Sequence, residues 1–278
     1  MMKKNLLGFA LAGLLCALPS GVLGGQVYRM SMLPRHAPEE IMRRIAPLAE
    51  YLSSSAGVRL EPVVEGNFAE YEKKIRSGRI QVGYQNPMVY ARVSDVHEVL
   101  ATAVVSMGGD RFRGIIISHA DSAVHGLEDI LGKSVCIVGR TSAGGYLSQK
   151  LSAKRKGIDV LKDCTLFEAV DNKQENVIFS VYMGEADVGF IRESALHMAD
   201  RYIPAAKIRV VAECAWLPNW ALSVSRGMPP AQKAALKKAL LALKAGSPVL
   251  KAMKIQGFND ASDKAYNPVR QALGMENR

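Results

Sequence analysis

Cysteine, tryptophan and histidine are all scarce in this 278-residue chain, with four, two and five copies. Cys16, Cys136, Cys164 and Cys214 contain no CxxC pair, and His36, His97, His119, His125 and His197 contain no HExxH or other ligand pair. A metal site and a dithiol redox centre are therefore not expected, and neither is a cofactor. Aromatic residues make up 6% of the chain, and none interleave the basic run Lys154, Arg155 and Lys156, which argues against nucleic acid as a partner. Beyond residue 25 no apolar run approaches the ~18 residues of a membrane span. Gly126 to Ser134 looks like a P-loop, but five residues rather than four separate its glycines and it leads into a strand. Ser142 lies outside any GxSxG, and no nucleophile–base pair stands out, so no catalytic residue is assigned.

What is present describes a folded protein. Hydrophobic residues are 49% and charged residues 22%, far from the composition of a disordered chain. The length suits one large domain or two modest ones at about 100–200 residues each. Lys and Arg number 36 against 26 acids, a surplus of +10 that favours anionic partners. Residues 1–24 read as a signal peptide: Lys3 and Lys4, then the apolar run Leu6 to Leu18, then Pro19, Ser20 and small residues up to Gly24. A membrane anchor is the alternative; bulky Leu15 before Cys16 argues against lipidation. Cleavage leaves a charge of +8, the original +10 less two lysines, and a periplasmic location. It also leaves three cysteines, an odd number, of which two are free to pair in an oxidising compartment.

The elements alternate. A strand over Val27–Leu33 is followed by Pro34-Arg35-His36 and a helix beginning at Ala37-Pro38-Glu39-Glu40. Ile41, Ile45, Leu48 and Leu52 give that helix one apolar face, closed by Gly57. A strand over 58–64, a helix over 68–77 and a strand over 80–84 complete a β-α-β-α-β start. A second such block runs from Gly114 to Phe190, with strands at 114–118, 134–138, 164–170 and 186–190. Strands at 208–212 and 221–224 follow, and the last third reads as helical. The joints fall at 108–113 and 213–219, so the central block is inserted into the other lobe. Two crossings make a hinge, and a hinge makes a cleft.

Two segments offer ligand contacts. Gly139-Arg140-Thr141-Ser142-Ala143-Gly144-Gly145-Tyr146 joins a buried strand to a helix start, where free amides, hydroxyls and close-approach glycines suit an anion; a plain N-cap is the alternative. Asn86 and Tyr90 follow the Tyr84 strand at the carboxyl edge of the sheet, where a simple turn explains them equally well. His36 sits in the first strand–helix loop, within reach of a ligand. Trp216 and Trp220 either wall the cleft or, more simply, pack the second joint.

These pieces, in this order, resemble the phosphate/phosphite/phosphonate-type substrate-binding proteins of bacterial ABC importers. The resemblance spans residues 27–275 and rests on Leu33-Pro34-Arg35, Pro47 to Leu52, Asn86-Pro87 with Tyr90, and Gly126 to Lys133. It continues through Thr141 to Tyr146, Val181 to Gly189, Pro218-Asn219, and Gly257-Phe258 with Tyr266. It implies an α/β, two-lobed type II periplasmic binding fold, each lobe a layered α/β sheet, with two hinge crossings. Domain I would hold 25–110 and 216–278, and domain II would hold 111–215. By position it implies an oxyanion held by Thr141, Ser142, Ala143 and Gly144, with Tyr90 and Asn86 from the other lobe and Asp187 at the ligand's distal end. Asp187 as a strand-end cap is the alternative. Phosphonate binders of this family tend to carry a Ser-His pair where this chain has Val170-Asp171-Asn172-Lys173-Gln174-Glu175; Asn172 and Lys173 are the available substitutes. The expected function is capture of a small phosphorus oxyanion by a monomer that delivers it to an ABC permease. A sensor role beside a membrane kinase, or a non-phosphorus solute, is the alternative.

Overall fold

A computed structural model describes residues 26–105 and 109–277; the expected signal peptide lies outside them. The chain opens with β1 (Tyr28–Met32), α1 (Pro38–Ala56), β2 (Leu60–Val63), α2 (Phe68–Arg76), β3 (Val82–Gln85), α3 (Pro87–Val93) and β4 (His97–Val104). The expected apolar face of α1 is real: Ile41, Ile45, Leu48 and Leu52 are all buried. Gly57 ends α1 in the left-handed region at φ 64°, where a side chain would be strained.

The second block holds β5 (Arg111–His119), β6 (Ser134–Ile137), α4 (Ser148–Arg155), α5 (Val160–Asp163), β7 (Thr165–Glu168), α6 (Gln174–Tyr182), β8 (Val188–Arg192) and β9 (Ile208–Pro218). The chain then runs through β10 (Ala221–Ser225), α7 (Pro230–Leu241), α8 (Pro248–Met253), β11 (Gly257–Asp260) and α9 (Asn267–Leu273).

Two sheets result, in the orders β11-β4-β10-β3-β1-β2 and β7-β6-β8-β5-β9. In the first, β2, β1 and β3 run parallel, and β10 fits antiparallel between β3 and β4. In the second, β7, β6 and β8 run parallel, and β5 lies antiparallel between β8 and β9. The chain passes to the second sheet between β4 and β5 and returns between β9 and β10.

Two local expectations need correction, and one strand was not expected. Residues 213–219 are not a loose joint, because β9 pairs with β5 as far as Arg111↔Pro218. The chain returns to the first sheet only at Asn219 and Trp220. The last third is not wholly helical, since β11 pairs with β4. β4 itself carries no alternating pattern because it is buried along nearly its whole length.

Cys136, Cys164 and Cys214 are all free thiols. Burial raises all three, Cys164 to about 11 and Cys214 to about 12, so none is poised as a thiolate.

Candidate functional site

The loop after β6 is built into a turn that a regular helix cannot supply. Ala143–Leu147 forms a π-helical turn before α4, with the Leu147 amide bonded to the Ser142 carbonyl at 3.1 Å. Ser142 Oγ accepts from the Gly145 amide at 3.0 Å, so this hydroxyl caps the turn. Gly145 is required here, since a Cβ would lie 2.3 Å from Val138 Cγ2. Gln149 fastens the turn to the sheet: its Nε2 donates to Gly144 O at 2.9 Å, Ile191 O at 2.8 Å and Ile115 O at 3.0 Å. Ser148 Oγ donates to Ala215 O at 2.7 Å and accepts from the Gly114 amide at 2.8 Å. The turn is thus held from β5, β8 and β9 at once.

In front of it lies a cavity of about 500 Å³. Elements of the second sheet contribute Thr141, Ser142, Ala143, Gly144, Asn172, Gln174 and Arg192; elements of the first contribute Arg35, Phe68, Asn86, Pro87 and Trp220. Its walls therefore come from both sides of the two crossings.

The polar groups on these walls are mostly donors. Asn86 Oδ1 accepts from the Val89 amide at 2.9 Å, and Gln174 Oε1 accepts from the Arg192 amide at 2.9 Å. Backbone N–H groups can bond only to the oxygen, which fixes both side-chain amides and leaves their NH₂ groups free. The first-turn amides of Ala143 and Gly144 have no intrahelical acceptor. Thr141 adds an exposed hydroxyl.

Two guanidinium groups complete the set. Arg192 stacks on Phe112 at 4.3 Å from the ring centroid, and Arg35 lies over Trp220 at 5.9 Å. Among the described residues neither forms an ion pair or a side-chain hydrogen bond, and the buried Nε of Arg192 has no partner. Burial, with Arg35 nearby, pulls Arg192 down to about 10; burial and Arg44 lower Arg35. Gly144 permits this packing, because a Cβ there would sit 3.0 Å from Arg192 Cβ and 3.3 Å from Phe112 Cε2.

A family model described as "ABC transporter, phosphonate, periplasmic substrate-binding protein" matches residues 30–266. The chain belongs to this family of periplasmic substrate-binding proteins. Solved structures agree on the fold. XAC2383 from Xanthomonas citri, bound to chloride ion, superposes with a TM-score of 0.73 at 19% identity over 89% of this chain and 96% of that one. PhnD1 from Prochlorococcus marinus, in complex with methylphosphonate, gives 0.66 at 13% identity over 90% and 99%. A binding protein component of an ABC phosphonate transporter from Pseudomonas aeruginosa gives 0.63 at 17% identity over 90% and 86%. The architecture is the two-lobed type II periplasmic binding fold.

Within this member of the family, five of the eight expected site residues meet at the cavity: Thr141, Ser142, Ala143, Gly144 and Asn86. Three do not line it. Tyr90 is buried, donating to Asp263 Oδ1 at 2.7 Å and accepting from the Val99 amide at 3.1 Å. Asp187 stands at the far end of β8 from Arg192, accepting from Ser134 N at 2.9 Å and Ser134 Oγ at 2.7 Å. At ~3.3 Å per strand residue the two ends are about 16 Å apart. His36 is exposed one residue beyond Arg35, and burial with Arg44 and Arg35 lowers its pKa.

The segment where the family's Ser-His pair would stand is unusual in backbone. Asp171 and Asn172 are both left-handed, at φ 56° and 51°. Both line the cavity, with Asn172 Nδ2 donating to Val138 O at 2.7 Å. Lys173 does not line it; it pairs with Asp171 at 3.2 Å. Arg35, Arg192 and Gln174 went unnamed as site residues at the sequence level. The available signal was position: Arg192 ends strand β8 and Arg35 follows strand β1, both at carboxyl edges where α/β sheets bind ligands. Trp220 lines the cleft, the first of its two expected readings, whereas exposed Trp216 carries Arg113 on its ring at 5.1 Å.

Proposed function

We propose that this protein captures a small oxyanion, with phosphate and phosphonates the first candidates, in the cleft between its lobes and delivers it to an ABC permease. One lobe comprises residues 25–110 and 219–278 and the other 111–218, since β9 pairs with β5 as far as Pro218, and the protein acts as a monomer. The observation that carries this reading is the donor set itself. Two unpaired guanidinium groups, two free side-chain amides and a helix-start turn converge on one cavity, and only an anion satisfies them together. Donors on both lobes reward the closed arrangement when the anion bridges them, and a permease reads that closure. Its role is binding without bond making, in keeping with a family of transporter binding proteins.

A thermal-shift screen of ligand-stripped protein tests this against phosphate, phosphite, methylphosphonate, sulfate and neutral sugars. A ligand at 100 times its Kd adds about 2.7 kcal/mol to stability, a plainly visible rise in Tm. The expected outcome is a rise with at least one phosphorus oxyanion and none with the sugars. No rise with any anion overturns the reading.

A further inference from the structure

The two guanidinium groups come from opposite sides of the cleft. Arg35 follows β1 in the first lobe, and Arg192 ends β8 in the second. Each rests on an aromatic ring, Trp220 or Phe112, which holds a cation in place without neutralising it. Both line the same cavity, and no carboxylate among its lining residues is free to neutralise them. The one acid among the lining residues, Asp171, already has Lys173 at 3.2 Å. The other lining amides, from Asn86 and Gln174, present NH₂ groups.

We propose that Arg35 and Arg192 form a charge gauge, bridged only by an oxyanion with two full negative charges, so that the cleft selects dianions over monoanions of the same shape. This rests on the anion-binding reading above and adds a selection rule to it. A monoanion neutralises one guanidinium and leaves the other, exposed Arg35 or half-buried Arg192, unmatched at the same cavity, a loss greatest where Arg192 is the one left. A dianion neutralises both, and having no proton to donate it requires only the donors the walls supply. With neither charge matched, repulsion between the lobes opposes closure. The arginines thus choose the ligand by charge and couple that choice to closing.

Calorimetry with an isosteric pair tests this: methylphosphonate, at a pH above its second ionisation, against methanesulfonate, which stays singly charged. The wild-type protein is expected to prefer the phosphonate by at least about 30-fold, the scale of one buried charge pair. In Arg35→Gln and in Arg192→Gln the preference falls below about 5-fold, mainly through weaker phosphonate binding. Arg192→Lys, which keeps the charge, retains most of it and controls for damage to packing. Equal affinity of the wild type for both ligands overturns the gauge while leaving anion binding intact. A preference that survives both Gln variants also overturns it. Binding of neither ligand, together with a thermal-shift screen silent for every anion, removes the anion reading and the gauge with it.

Discussion

Two regions of the molecule each hold arginine away from water, and they treat it in opposite ways. Arg270, on α9, is fully buried. Its Nη2 donates to Asp263 Oδ1 at 2.5 Å and Ser94 Oγ at 2.9 Å, and its Nη1 donates to Asn267 Oδ1 at 2.8 Å and Asp263 O at 3.0 Å. Tyr90 adds a second donor to the same Asp263 Oδ1. Only Nε of Arg270 lacks a partner. Arg192, in the cleft, has its guanidinium on a phenyl ring and no acceptor among the described residues. A network closed on itself serves the fold; donors left open serve something that comes from outside.

The sharpest way to break this comparison is to remove each charge in turn. Arg270→Met leaves the Asp263 carboxylate with Tyr90 as its remaining donor and should cost about 3 kcal/mol in denaturant unfolding. Arg192→Met removes a charge with no carboxylate partner, losing only its stacking on Phe112, and should change stability by less than about 1 kcal/mol. Equal losses in the two variants would mean that Arg192 has a structural partner after all.

Tyr90→Phe sharpens the line between the regions. It removes the acceptor of the buried Val99 amide and should cost about 2 kcal/mol while leaving anion affinity unchanged. A tenfold loss of affinity in that variant would return Tyr90 to the site.

The smallest effect is expected at Asp187. Its hydrogen bonds from Ser134 hold its carboxyl below the usual range. A lowered folded-state pKa gives stability that is present above the ordinary aspartate value and lost as pH falls through the lowered one. Asp187→Asn should therefore lose under about 1 kcal/mol at neutral pH, because the group is exposed and screened by solvent. Tm measured against pH should show the gap to wild type closing in acid, with no change in anion binding at neutral pH.

Much of the fold is legible in the sequence because local signals and tertiary structure agree there. The i, i+4, i+7 apolar face of α1 ends at a glycine, and the strand–turn–helix rhythm repeats through both blocks. β4 was not legible, because a strand buried on both faces has no polar alternation to mark it. The turn after β6 was legible as a glycine-rich helix start, and its Thr141, Ser142, Ala143 and Gly144 line the cavity with Asn86. The arginines were not. Arg192 and Arg270 look alike in a sequence, and what separates them is the presence or absence of a carboxylate brought from elsewhere in the chain. Tyr90 failed for the same reason, since Asp263, its partner, lies 173 positions away.

The placement of β10 sets an order on how the molecule is made. It forms the middle of the first sheet, with Leu222 opposite Tyr84 on one side and Ala101 on the other. Without it β3 and β4 have no common neighbour, so the first lobe's sheet stays in two pieces until the whole second lobe has been synthesised. Such distant pairings make folding slow. A growing chain shorter than about 225 residues therefore holds its first lobe unfinished, with open strand edges for a chaperone to grip.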